Sequence, residues 1–180
     1  MPTSAAETSR KVWCGVPAGF TLMELVVVIA LLSLVAIIVF PRLSVSRTAE
    51  LQRSARQLAA TVRYLQDRAI ATKTGYQLHL VLGGNTVAVK QLLPDGSVVE
   101  PGDPALRGPL LATGVIVSSV STPRGGTRSA GEAVIPFGAS GIGEFTAIHL
   151  KGADAAVVTV MSYPSSGRVT VVEGYREEAP

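Results

Sequence analysis

Gly19-Phe20-Thr21-Leu22-Met23-Glu24 opens onto an almost purely apolar run from Leu25 to Phe40, and this stretch decides the fold. One carboxylate, Glu24, stands at the head of the hydrocarbon. An ionised group inside a membrane span costs on the order of 2.5–3.5 kcal/mol on insertion scales, so a charge here needs a use. Phe20 to Phe40 is 21 residues, about 31 Å of helix, which matches a bilayer core. Many of these residues are β-branched, yet lipid enforces a helix because every backbone group must be satisfied internally. A cleavable secretory signal has a shorter core followed by a small-residue site. Here Phe40-Pro41-Arg42 comes next instead, so the run is expected to stay in the mature chain. Ser33 is expected to bond back to its own helix, and Pro41 to kink the helix as it leaves the span.

Around this stretch the chain falls into four parts: a polar leader over 1–19, the span over 20–40, an amphipathic stem helix over 41–73 and a β-rich head over 74–180. Its 180 residues leave room for one folded domain beyond the membrane segment. The only cysteine, Cys14, lies in the leader and can form no internal disulfide. Lys11, Val12 and Trp13 precede it where a lipoprotein signal needs an apolar region, so Cys14 reads as incidental. The net charge of +3 hides an asymmetry. Arg42, Arg47, Arg53, Arg56, Arg63, Arg68 and Lys73 face only Glu50 and Asp67 along the stem, while acids outnumber bases from Thr74 onward. A basic stem suits anionic lipid or acidic neighbours, and equally a solvated helix face.

After Pro41 the spacing is helical. Leu51, Ala55, Leu58, Val62, Leu65 and Ala69 recur at steps of four and three, an apolar stripe expected to pack on the protein's own domain. Gly75 is placed to cap the helix C-terminus. Beyond it the pattern changes to short β-rich runs, with a hairpin at Gly83-Gly84-Asn85 and a turn at Pro94-Asp95-Gly96. Further strands are expected over Leu110–Val120 (bent at Gly114), Ala133–Phe137, Phe145–Leu150, Ala155–Ser162 and Arg168–Val172. Glu100–Pro109 and Ser121–Gly131 read as loops. The fold class is α+β: one long N-terminal helix, transmembrane then amphipathic, on an antiparallel sheet or sandwich.

The leader, the Gly19-Phe20 junction, Glu24 and the long helix together resemble a type IV prepilin-like protein. In that superfamily a peptidase cuts after the glycine and methylates the new amine, which here implies cleavage between Gly19 and Phe20 and methylation of Phe20. Glu24 would then pair with the terminal amine of a neighbouring subunit. On its residues alone, a carboxylate so near a helix end can also simply reach the interface. The resemblance implies a cytoplasmic N-terminus and a periplasmic head, although Arg42, Arg47, Arg53 and Arg56 after the span do not favour that orientation by charge.

Phe137-Gly138-Ala139-Ser140-Gly141, a strand ending Ile148-His149-Leu150, Val157 to Val160 and Gly167-Arg168-Val169 together resemble the H-type minor pseudopilins of type II secretion. The related type IV minor pilins of the FimT kind share this layout. This second resemblance implies a subunit near the tip of a periplasmic pseudopilus, anchored in the bacterial inner membrane. Its partners would be other pseudopilins, the prepilin peptidase and secreted cargo; the alternative is a pilus assembly or DNA-uptake role.

Neither catalysis nor a cofactor or metal is expected. Gly138, Gly141 and Gly143 have the wrong order for a dinucleotide loop and no following helix, and read as turn chemistry. His79 and His149 lack ligand spacing, and Ser118, Ser119 and Ser121 lack a nucleophile elbow. Nucleic acid is not an expected partner, because Arg124 and Arg128 are the head's one local basic pair and the Glu173–Glu178 segment is acidic. Gly19→Asp is expected to leave the leader uncut. Mass spectrometry of the membrane-bound chain checks this, and a normal mature N-terminus in the variant would remove Gly19 as the processing site.

Overall fold

Steps of four and three residues place Leu51, Ala55, Leu58, Val62, Leu65 and Ala69 on one side of a helix. In the computed structural model all six are at most 1 % exposed and form the spine of the core. The structure describes residues 21–177, without the side chains of residues 38–47. The chain divides into two compact units, Met1–Phe40 and Pro41–Pro180. Helix α1 (Leu22–Thr72) contributes to both. Helical backbone runs through Pro41, whose side chain lies outside the described residues, as does the kink expected from it.

In the second unit Arg53, Arg56, Arg63 and Arg68 are exposed while the stripe is buried. Two polar side chains join the stripe. The Ser54 hydroxyl accepts from the Ala112 N–H at 3.0 Å, and the Gln66 amide donates to the Ser162 hydroxyl at 3.0 Å. Both are nearly fully buried; the bonds satisfy the Ser54 hydroxyl and the Gln66 amide nitrogen, while the Gln66 Oε1 has no hydrogen-bond partner. The helix ends at Thr72, but Gly75 is not its cap: the left-handed residue is Lys73, with φ 56°. Gly75 instead opens strand β1 (Gly75–Leu82), where a Cβ would lie 3.1 Å from the Cβ of its cross-strand partner Leu92.

β1 turns through Gly83-Gly84-Asn85 into β2 (Val87–Leu92), as expected, and the Pro94-Asp95-Gly96 turn leads into β3 (Val98–Val99). A short 3-10 helix, Pro104–Leu106, interrupts the loop after β3 and is tied to the stem by the Tyr64 hydroxyl donating to Asp103. β4 (Ile116–Thr122), β5 (Gly126–Arg128), β6 (Gly131–Gly138), β7 (Gly141–Ile142), β8 (Thr146–Lys151), β9 (Val157–Ser162) and β10 (Val169–Glu173) complete one sheet. Its order is β10-β9-β8-β4-β1-β2-β3, with β5 on β4, β6 on β1 and β7 on β6.

The sheet is mixed, not antiparallel. β1 and β4 run parallel at the bridge Leu82↔Val117, where Gly83 N–H donates to Val117 and Val117 N–H to Gly84, both at 2.8 Å. A parallel neighbour needs a long crossover connection, and the chain from β3 through the 3-10 helix supplies it. The strand expected over Leu110–Val120 begins only at Ile116, because Gly114 turns with φ 88°. Leu110, Leu111 and Val115 are apolar because they plug the core from outside the ladder. The loop expected over Ser121–Gly131 is instead the end of β4, a tight turn and β5.

Leu58→Ala, at a fully buried position, is expected to destabilise the head by about 2–5 kcal/mol through the cavity it leaves. Arg63→Ala on the exposed face should change stability by less than about 0.5 kcal/mol. Thermal unfolding of the detergent-solubilised chain distinguishes the two.

Candidate functional site: the N-terminal motif and the covered face of the sheet

The helix begins where its sequence supplies a cap. The Thr21 hydroxyl accepts from the Glu24 N–H at 3.2 Å, and the Thr21 carbonyl accepts from Glu24 and Leu25 N–H. This satisfies donors that every helix N-terminus leaves free. Thr21-x-x-Glu24 is the sequence signature of a capping box, a signal that sequence reasoning passed over in favour of the span. Glu24 therefore sits in the first turn, exposed, where a negative charge meets the positive end of the helix dipole. Ser33 donates to the Ile29 carbonyl at 2.8 Å, the expected bond back to its own helix.

From Leu22 to Ile37 every residue of the helix is exposed, on all sides. A helix apolar all round belongs in lipid or within a partner assembly. Among the described residues no helix is long and apolar enough to cross a membrane. The expected span starts at Phe20 and ends at Phe40, and both ends lie beyond the side chains described. Gly19 and Phe20, the expected cleavage and methylation residues, lie outside the described residues altogether.

Residues 17–40 match the prokaryotic N-terminal methylation motif. This motif supports a type IV pilin-like protein. A prepilin-like motif implies processing by a prepilin peptidase and assembly with other pilins, and the α+β architecture of helix and large mixed sheet is consistent with it. The match covers Glu24 and stops before the head. No curated protein and no solved structure matches the chain.

Away from this pilin-like motif, the remaining sequence candidates fall into separate places. Gly138 and Gly141 pair across a tight turn between β6 and β7, with Gly141 at φ 87°. His79 on β1 contacts the Glu132 carboxylate at 2.5 Å and Gln77 at 3.1 Å. The bond to His79 holds the Glu132 carboxyl below its ordinary range. Among the described residues no cluster of His, Cys, Asp and Glu is fit to hold a metal.

His149 has a different setting. It lies on the face of β8 opposite the stem, fully buried, and its Nε2 donates to the Arg176 carbonyl at 2.8 Å. A neutral ring with hydrogen on Nε2 accepts at Nδ1, and the Ser119 hydroxyl lies 3.1 Å from it. The Tyr175 ring stacks on the imidazole at 3.9 Å between centroids. Thr159 donates to the Gly174 carbonyl at 2.6 Å and accepts from the Arg176 N–H at 3.2 Å. Glu177 accepts from Tyr175 at 2.6 Å and Thr127 at 3.0 Å.

Residues 174–177 thus cover a hydroxyl- and imidazole-bearing face of the sheet. Sequence reasoning saw this segment only as acidic. The polar residues form a row across neighbouring strands, Ser119 opposite His149 and His149 opposite Thr159, each set singly into its own strand, so no pattern along one strand announces the face.

The hydrogen bond from Tyr175, then that from Thr127, holds the Glu177 carboxyl below its ordinary range. A depressed carboxyl stabilises the docked segment above its unfolded pKa, and that contribution is lost as pH falls through the folded value. The protection of the Arg176 amide, measured against its intrinsic exchange rate at each pH, is therefore expected to fall below the ordinary carboxylate range. Glu177→Gln should flatten this dependence.

Proposed function

We propose that this chain is a minor pseudopilin of the H type, a low-abundance subunit at or near the tip of a type II secretion pseudopilus. In this reading it helps folded proteins cross the outer membrane. The observation that carries the reading is the N-terminal methylation motif over residues 17–40, with Glu24 in the first turn of an apolar helix. The order of the head supports the subgroup. A phenylalanine-glycine turn at Phe137-Gly138 precedes β8, β9 and β10, and Gly167-Arg168-Val169 leads into the last of them. Peptidase cleavage between Gly19 and Phe20 would free the amine that Glu24 of a neighbouring subunit neutralises within an apolar filament core. Residues 20–40 would anchor the subunit in the inner membrane before assembly, with the head in the periplasm. No catalytic or cofactor role is part of this reading.

A second reading, a FimT-like minor pilin for type IV pilus assembly or DNA uptake, is favoured by Arg124 and Arg128. Both are exposed, and neither is ion-paired among the described residues. Glu132 and Glu144 on the flanking strand and loop count against a phosphate backbone there.

A deletion strain, its complemented parent and a strain carrying Glu24→Ala decide between them. Folded exoproteins are expected to vanish from the medium of the deletion strain and to return with the wild-type chain. With Glu24→Ala the leader should still be removed, while filament crosslinking and secretion fall together. An unchanged supernatant in the deletion strain overturns the secretion reading.

A further inference from the structure

β6 has a strand partner on one edge only for most of its length. It pairs with β1 from Gly131 to Phe137, while on its other edge β7 reaches only Phe137 and Gly138. Pro136 carries no N–H and so takes a position that owes β1 no donor. Backbone groups alternate between the two edges of a strand, so Val134 and Glu132 share the outward parity of Pro136. Their N–H and C=O groups face an edge without a strand among the described residues.

That edge lies in a cleft. Two adjoining hollows of about 140 and 310 Å³ share Thr122, Arg124, Val134, Ile135 and Glu144, with β4 and its hairpin as the opposite wall. Ile135 and Ile142 contribute an apolar lining. The charges there are unevenly used. Glu132 is held by His79, and Glu144 accepts from the Arg124 backbone N–H at 3.3 Å. The Arg124 and Arg128 guanidiniums have no ion-pair partner among the described residues.

The geometry points to a strand-addition site: the outer edge of β6 takes an extended, acidic segment of a partner protein. Its backbone pairs with Glu132 and Val134, and its carboxylate meets Arg124 and Arg128. Main-chain bonds supply affinity in such additions, and side-chain pockets supply selectivity. Opposite charge across the rim selects the partner and speeds encounter. A nucleic acid fits less well, because unpaired N–H and C=O groups in alternation match a peptide backbone. This assignment does not depend on which secretion or pilus system the chain serves.

The test uses the full chain in detergent micelles and a short blocked peptide of alternating valine and threonine with one central glutamate. Titration is expected to slow amide exchange at Glu132 and Val134. The paired substitutions Arg124→Glu and Arg128→Glu should weaken the peptide at least about tenfold. Val134→Pro removes an outward N–H without touching the β1 ladder, and should abolish binding where Val134→Thr preserves it. Should Val134→Pro fail to fold, a peptide methylated at alternate backbone nitrogens takes its place and should not bind. Unchanged exchange at saturating peptide overturns the assignment. So does equal affinity for a peptide with lysine in place of the glutamate, undiminished binding of the methylated peptide, or preferential protection of this edge by a single-stranded oligothymidine.

Discussion

Everything in the head rests on one buried contact, the apolar stripe of the stem against the sheet. Leu51, Leu58 and Leu65 are fully buried, and the strands converge on them with Leu78, Leu80, Val117, Phe137 and Leu150. This face of the sheet is apolar, and among the described residues the stem is the long helix that hides it. The contact also sets the limits of the stem's variation. Its outward arginines can change without opening the core, whereas Ser54 and Gln66 sit inside the seam and tie the helix to particular backbone and hydroxyl groups of the head.

The sequence made the helical half legible because its periodicity has one interpretation. A stripe at steps of four and three can only be one side of a helix, and all six of its members proved buried. Hairpins signalled by Gly83-Gly84 and Pro94-Asp95-Gly96 were equally plain, since turn chemistry is local. What stayed hidden depends on distant chain. The parallel bridge between Leu82 and Val117 is set by a long crossover, and no local pattern records its direction. Leu110 and Leu111 look like strand residues because burial, and not pairing, selects their apolarity. The N-terminal motif was readable for the opposite reason, being a short linear signal that needs no tertiary partner.

The two chemical characters of the chain divide cleanly. The first unit displays hydrocarbon on every side of its helix and a single carboxylate in the first turn. The second keeps most of its hydrocarbon inward, with Arg53, Arg56, Arg63 and Arg68 of the stem outward. An environment that suits one does not suit the other.

The two faces of the sheet also differ in what it would take to uncover them. Lifting the stem away would present leucine and valine to water, and nothing in solution compensates for that. Lifting residues 174–177 would present Ser119, His149, Thr159 and Thr127 instead, and water can hydrogen-bond every one of them. Local opening draws on the weakest cooperative unit of a fold. The head therefore has a shut side and a side with a latch, and its slow and fast motions should be sorted by face.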